Sequence, residues 1–215
     1  VTLRGHGFRL LVASFRLQEA RYTIVLQVDE EGMMSRPIGT VPRPIAKWMT
    51  FCELPENSDR HFELIYGELI EKLPGTTYNS LLTLKIGIAA HHYGETAGIP
   101  GQFATALAPY AVGSHIVLPK LSYKRTPMAD TYPDFGAPLW VVDVIAPTDT
   151  AVCVRDKRQI YLDAGILYWE VYPNLQRVDV YSPGEPMRSV DANGTLDVGS
   201  VLPGFTLDAA ELWKQ

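Results

Sequence analysis

The run Pro138-Leu-Trp-Val-Val-Asp143-Val-Ile-Ala-Pro147 constrains this chain more than any other segment. Nine of its ten residues are apolar or proline, and the tenth is an acid. A short apolar run, bounded by proline and rich in valine and isoleucine, predicts a strand buried on both faces. A carboxylate in such a strand is costly unless a cation, a metal or several hydrogen bonds meet it. Asp143 therefore needs a partner, and the residues that follow are the first place to look.

A helix is predicted over about Ala151–Ala164, ending at Gly165. At about 100° per residue, Cys153, Lys157, Ile160, Tyr161 and Ala164 share one face of it, while Arg155, Asp156, Arg158 and Asp163 point elsewhere. Lys157 thus sits in the core-facing stripe and either snorkels outward or meets a buried acid. Asp143 is the acid on offer. Two readings stay open from the residues alone. The pair is a structural ion bridge that fixes how the helix docks, or it is half of a metal-dependent phosphodiesterase site. In the second reading Asp143 holds a Mg²⁺ ion through oxygen. Lys157 then orients or deprotonates the attacking water, or neutralises the charge that develops on phosphorus.

Composition narrows the classes. With 47% hydrophobic and 20% charged residues in 215, the chain has the make-up of a folded domain with a sizeable core. A net charge of −5 counts against a broadly basic nucleic-acid binder, though not against a local basic patch. Cys52 and Cys153 match no zinc spacing and read as free thiols of a reducing compartment. No stretch suits a membrane span or a secretory leader, so a cytoplasmic location is expected.

Residues 1–45 differ in texture from the rest: arginines punctuate apolar residues, and Arg36 to Pro44 forms a Pro-rich connector. Met33 and Met34 stand just before that connector, so the segment is read as a leader or over-extended frame, or else as a strand pair around Tyr22–Val28. Residues 46–215 read as the main domain. There a short helix is expected at Thr50–Leu54, capped by Thr50, and a hairpin turning at Tyr66-Gly67. A helix over Tyr78–Tyr93 follows, then strands near 102–112, 115–124 and 139–146. Beyond the Lys157 helix come a hairpin around Pro173-Asn174 and a short terminal helix. His91-His92 point to different faces and make a poor metal site, and the four tryptophans read as core.

Several landmarks resemble a known family. They are Met49-Thr-Phe-Cys-Glu-Leu-Pro-Glu56, Phe62-Glu-Leu-Ile-Tyr-Gly-Glu-Leu69, and Tyr132-Pro-Asp-Phe-Gly-Ala-Pro-Leu-Trp-Val-Val-Asp-Val-Ile-Ala-Pro-Thr-Asp149. Lys157, Tyr161, Ala164-Gly-Ile, Tyr168-Trp169, Tyr172-Pro173 and Val201-Leu-Pro-Gly-Phe205 continue the series. In this order they resemble the bacterial Uma-two family of restriction-endonuclease type, a branch of the PD-(D/E)XK nuclease superfamily, over about Trp48–Trp213. The resemblance implies a restriction-endonuclease-like α/β fold, a mixed sheet flanked by helices. It also implies a Mg²⁺-dependent DNA endonuclease, with Asp143 and Glu68 as metal ligands and Lys157 assisting the water.

The chain also departs from the family pattern. Asp143 stands where the family usually has glutamate. Lys120, in Leu118-Pro-Lys-Leu-Ser-Tyr123, stands where the family has its metal-binding aspartate. Pro133-Asp134 spells the motif but falls in the loop before the central strand, and Asp134 is expected to be a solvated loop acid. The family's acidic residue near Cys153 is missing, as is its histidine near Tyr78-Asn79. Two functions therefore remain: a Mg²⁺-dependent endonuclease with a degenerate site, or an inactive nuclease-fold module that binds DNA or serves as a dimer partner. A homodimer, or a heterodimer with an active paralogue, would suit either.

Overall fold

The computed structural model describes residues 2–5, 8–17, 20–29 and 34–214, with side chains from Pro44 onward. The chain divides into two compact units, Val1–Lys72 with Ser114–Ile116, and Leu73–Gly113 with Val117–Gln215.

The first unit opens on an antiparallel meander: β1 (Thr2–Gly5), β2 (Phe8–Leu17), β3 (Ala20–Asp29) and β4 (Met34–Pro42). Tyr22–Val28 lies within β3, as its β-branched composition allows. β4 takes up most of the Pro-rich stretch. Pro37 and Pro42 are tolerated because β4 is an edge strand, where a missing N–H need not break the ladder. Met33, considered above as a start, lies outside the described residues.

Next comes α1 (Arg43–Cys52), which corrects the expectation of a short helix capped by Thr50. Pro44 suits the first helical turn, and Ile45, Trp48 and Met49 supply a buried i, i+3, i+4 stripe. Thr50 is inside the helix, its hydroxyl donating to the Ala46 carbonyl at 3.0 Å. The Trp48 indole N–H donates to the Phe62 carbonyl at 2.8 Å, tying α1 to β5 (Phe62–Ile65). β5 turns into β6 (Glu68–Glu71) through Tyr66 and Gly67, both at positive φ (48° and 86°), the geometry of a two-residue hairpin turn.

The second unit carries α2 (Thr77–Ala97), β7 (Gln102–Thr105) and β8 (Tyr110–Val112); in β9 (His115–Val117), His115 and Ile116 belong to the first unit, where Ile116 pairs with Leu64. Then follow β10 (Leu121–Lys124), β11 (Trp140–Val144), α3 (Ala151–Asp163), β12 (Leu167–Tyr172) and β13 (Arg177–Tyr181). β14 (Arg188–Val190), β15 (Thr195–Asp197), β16 (Thr206–Asp208) and α4 (Ala209–Trp213) complete it. The long strands expected at 102–112 and 115–124 are each broken, the first at Leu107 (φ 72°), the second at Pro119.

Six strands form the central sheet in the order β14-β13-β12-β11-β10-β7. β11 and β12 are parallel and joined by α3; the other neighbours are antiparallel. The sheet is thus mixed, with helices packed on it, as expected. β11 is buried along its whole length, as the apolar run requires.

Because side chains alternate along a strand, the two faces differ sharply. Trp140, Val142, Val144, Leu167, Trp169, Val171, Val178 and Val180 join Leu82, Ile86 and Ala90 of α2 and Leu212 and Trp213 of α4 in one apolar core. The alternate positions carry Asp143, Tyr168, Glu170, Asp179 and Tyr181. One face makes the core; the other holds the chemistry.

Candidate active site

The register of the sheet lines up its acids. Asp143 on β11 is opposite Glu170 on β12, which is opposite Asp179 on β13, which is opposite Ser189 on β14. All three carboxylates are buried. Adjacent like charges in a sheet repel, so such a row persists only if each acid has its own counter-charge. α3 supplies two of them.

Lys157 Nζ lies 2.6 Å from Asp143 Oδ2, with the lysine side chain 5% and the aspartate 8% exposed. The pair anticipated from helical periodicity is present. Asp143 Oδ2 also accepts from the Tyr168 hydroxyl at 3.3 Å, and Oδ1 accepts from the Lys120 backbone N–H at 3.2 Å. Complete burial, reinforced by the neighbouring Asp143, holds the Tyr168 hydroxyl well above its ordinary pKa, so it remains a proton donor at neutral pH.

The second acid is held more tightly. Arg158 Nε and a terminal nitrogen both donate to Glu170 at 2.8 Å, a bidentate fork, and the Tyr172 hydroxyl adds a third bond at 2.7 Å. The hydrogen bond to Glu170 raises the Arg158 pKa further above its ordinary value. Desolvation, with Glu170 close by, pushes Tyr181 up to about 12. Asp179 accepts from the Ser189 hydroxyl at 2.6 Å and is bridged by Arg177.

Glu68 and Asp134 were the other acids singled out from the sequence. Glu68 is exposed at the start of β6, opposite Ile65, in the first unit. Asp134 is not the solvated loop acid expected. It is buried, 2.6 Å from Lys124 Nζ, and accepts the backbone N–H groups of Gly136 and Ala129 at 2.7 and 3.3 Å. A carboxylate this fully partnered braces its loop. Two details of the α3 reading also change: Val154 rather than Cys153 heads the buried stripe, and Arg158 turns inward to Glu170 instead of pointing away. His91 and His92 are exposed, whereas all four tryptophans are buried.

A cavity of about 270 Å³ opens between the start of α2 and Lys120. Thr76 caps α2: its Oγ1 accepts from the Asn79 N–H at 3.1 Å, and its hydroxyl donates to Asn79 Oδ1 at 3.0 Å. That reciprocal cap leaves Asn79 Nδ2 buried without a hydrogen-bond partner. Such a group costs about 1–3 kcal/mol.

A sequence profile of the Uma2 family, described as "putative restriction endonuclease", matches residues 48–210, well over half of the chain. The chain belongs to the Uma2 family. In shape it is similar to a crystal structure described as a putative nuclease of DUF820 from Anabaena variabilis. The TM-score is 0.66 at 21% identity, over 76% of this chain and 94% of that one. At that identity the likeness speaks for the fold, which is the nuclease fold expected of a Uma2 member. Among curated proteins, none matches.

The family resemblance implies a divalent metal. Mg²⁺ takes oxygen ligands in a near-octahedral shell and needs carboxylates with lone pairs to spare. Asp143 meets Lys157, Tyr168 and the Lys120 amide, while Glu170 meets the Arg158 fork. Among the described residues, no three of His, Cys, Asp and Glu gather to hold a metal ion. Lys120 brings a cation to the rim. This donor set does not fit Mg²⁺. Among those residues, too, no helix is long and apolar enough to cross a membrane.

Proposed function

We propose that this Uma2 protein engages the phosphodiester backbone of DNA at the end of the sheet that carries Asp143, Lys157 and Lys120, and that it binds there without metal-dependent cleavage. The observation that carries the reading is the closure of Asp143. Its Oδ2 is 2.6 Å from Lys157 Nζ and its Oδ1 accepts the Lys120 amide. Lys120 occupies the position from which the family resemblance expects an aspartate. A lysine there repels a metal and attracts the phosphate that the metal would otherwise have bridged. The nuclease fold would then serve as a phosphate-reading scaffold.

The second reading is a Mg²⁺-dependent endonuclease in which Asp143 and Glu68 hold metal and Lys157 assists the water. It is favoured by the acid–lysine contact itself, since a lysine beside a strand carboxylate is what such hydrolysis requires.

Fluorescence anisotropy on a labelled DNA duplex separates them. Binding is expected in EDTA, unchanged on adding Mg²⁺, and weakening with salt by a slope of about 0.9 per phosphate contacted. Supercoiled plasmid is expected to stay intact in Mg²⁺ or Mn²⁺. Nicking that disappears in Lys157→Ala would establish the second reading, and absence of binding under every condition would remove the first.

A further inference from the structure

We infer that a second copy of this chain docks on the β7 edge of the central sheet, pairing β7 with its own counterpart and packing one flank of α2 against the same flank of the partner. The inference is independent of the DNA reading and lies wholly within the second unit.

The sheet edge carries the first part of the case. β7 ends the six-stranded order, so only one of its sides meets a neighbour. The Ala106 N–H donates to the Lys120 carbonyl at 2.9 Å, which fixes the alternation along the strand. Gln102 and Ala104 therefore turn their backbone groups to β10, while Phe103 and Thr105 turn theirs outward. Edge strands ordinarily carry a charge, a proline or a bulge that blocks further pairing. The opposite edge does so. β14 begins with Arg188, with Pro186 just before it, and Arg188 is held to the Thr195 carbonyl and to Asp197. β7 reads Gln-Phe-Ala-Thr, keeps its register with β10 throughout, and has none of these devices.

The helix beside this edge is apolar on its exposed side too. Apart from histidines, Lys85 and Glu95 are the charged residues of α2, and Lys85 Nζ is turned to the Glu211 and Leu212 carbonyls of α4 at 3.2 and 3.1 Å. Leu82, Ile86 and Ala90 pack into the core. Leu81, Leu84 and Ile88 share the opposite face and are 39%, 52% and 59% exposed. A helix that is apolar all round is one that is buried all round. Two contacts place this flank at the β7 edge: Leu84 lines one cavity with Thr105 and Ala106, and the His91 ring lies edge-on to Phe103 at 6.1 Å. Leu107, 48% exposed, follows directly on that cavity wall. A continuous exposed apolar patch marks an interaction site.

A second copy suits the patch because the patch is its own complement. About a two-fold axis normal to the sheet, β7 runs antiparallel to its image, and the outward N–H and C=O groups of Phe103 and Thr105 meet matching acceptors and donors. The same axis keeps both copies of α2 on one face of the joined sheet, flank to flank. Neither β7 nor the Leu81, Leu84 and Ile88 stripe carries a charge, so no like-charge repulsion opposes the pairing. A nucleic acid would need cations there instead.

Sedimentation velocity on the full chain tests the inference. The wild type is expected to be a dimer at about 10 µM and above. Ile88→Lys places a charge in the seam, and Thr105→Pro removes an outward N–H while leaving the β10 ladder its bonds. Each substitution occurs twice in a two-fold dimer, so each should raise the dissociation constant by about a hundredfold or more. Leu175→Lys, at a position 61% exposed and outside the patch, should leave the dimer intact. Circular dichroism checks folding, and Ile88→Lys, on an exposed position, should keep the wild-type spectrum. A wild type that stays monomeric at about 100 µM overturns the inference and leaves the patch to a different protein. A dimer that survives both substitutions overturns it by placing the interface elsewhere. A dimer lost in Ile88→Lys but kept in Thr105→Pro overturns the strand pairing.

Discussion

Lys157→Met is expected to destabilise the protein by about 3–5 kcal/mol, the cost of removing one partner from a buried ion pair. The magnitude follows from what remains. Asp143 is 6% exposed, and the substitution removes the ammonium that stands 2.6 Å from its Oδ2, while the Tyr168 hydroxyl and the Lys120 amide stay. Both of those donors are neutral, and a carboxylate held in low-dielectric surroundings is costly when it loses a charged partner. Replacing both partners is a different experiment. Asp143→Leu with Lys157→Met exchanges the pair for apolar side chains and should recover much of the loss, because well-packed substitutes for buried pairs are often neutral. Urea unfolding followed by circular dichroism measures both, with the midpoint as the readout and an unchanged slope showing that the folded state is intact. A loss below about 1 kcal/mol for the single variant would mean that Lys157 behaves as an exposed side chain and that the pair does not brace α3.

The second large effect is expected at Arg158, which sequence periodicity had placed on the outer side of α3. Glu170 is fully buried, and the bidentate fork from Arg158 supplies its charge partner. Arg158→Met should cost about 3 kcal/mol or more, with only neutral tyrosine hydroxyls, those of Tyr172 and Tyr181, left beside the acid among the described residues. Arg177 offers the internal comparison. Its side chain is 41% exposed, and Asp179 also keeps the Ser189 hydroxyl, so Arg177→Met should cost clearly less. Thermal unfolding of the two variants checks the ranking. If Arg177→Met proves the more damaging, the row of paired acids is not what holds α3 to this face.

The row also shows why some of the site was legible in the sequence and some was not. Asp143 stood out because a lone acid interrupts an apolar run, and Lys157 because it falls in the buried stripe of the next helix. Both signals are local. Glu170 sits in Leu167-Tyr-Trp-Glu-Val-Tyr172, a strand as apolar as β11, so the same reasoning would have marked it as a buried acid in need of a cation. What no local pattern contains is the register that aligns Asp143, Glu170 and Asp179 across three strands. Asn79 was equally hidden. A Thr-x-x-Asn cap is visible in the sequence, but that it leaves the amide nitrogen buried without a hydrogen-bond partner depends on packing that no local pattern contains. The fold was the more readable part: the hairpin at Tyr66-Gly67 and α3 follow from turn chemistry and periodicity, which act within a few residues, while the mixed sheet was implied by the family resemblance. α1 escaped because Pro42 and Pro44 suggested a connector, although a proline in a first turn is as good a helix start as a break.

The central claim is that lysine has taken the place of metal at the end of the sheet. Calorimetric titration with Mg²⁺ and Mn²⁺ tests it most directly, on the wild type beside Lys120→Asp, which restores the carboxylate that the family resemblance expects. The wild type is expected to give no binding heat at millimolar metal, and Lys120→Asp is expected to bind metal. Stoichiometric binding of Mg²⁺ by the wild type, lost in Asp143→Asn, would contradict it.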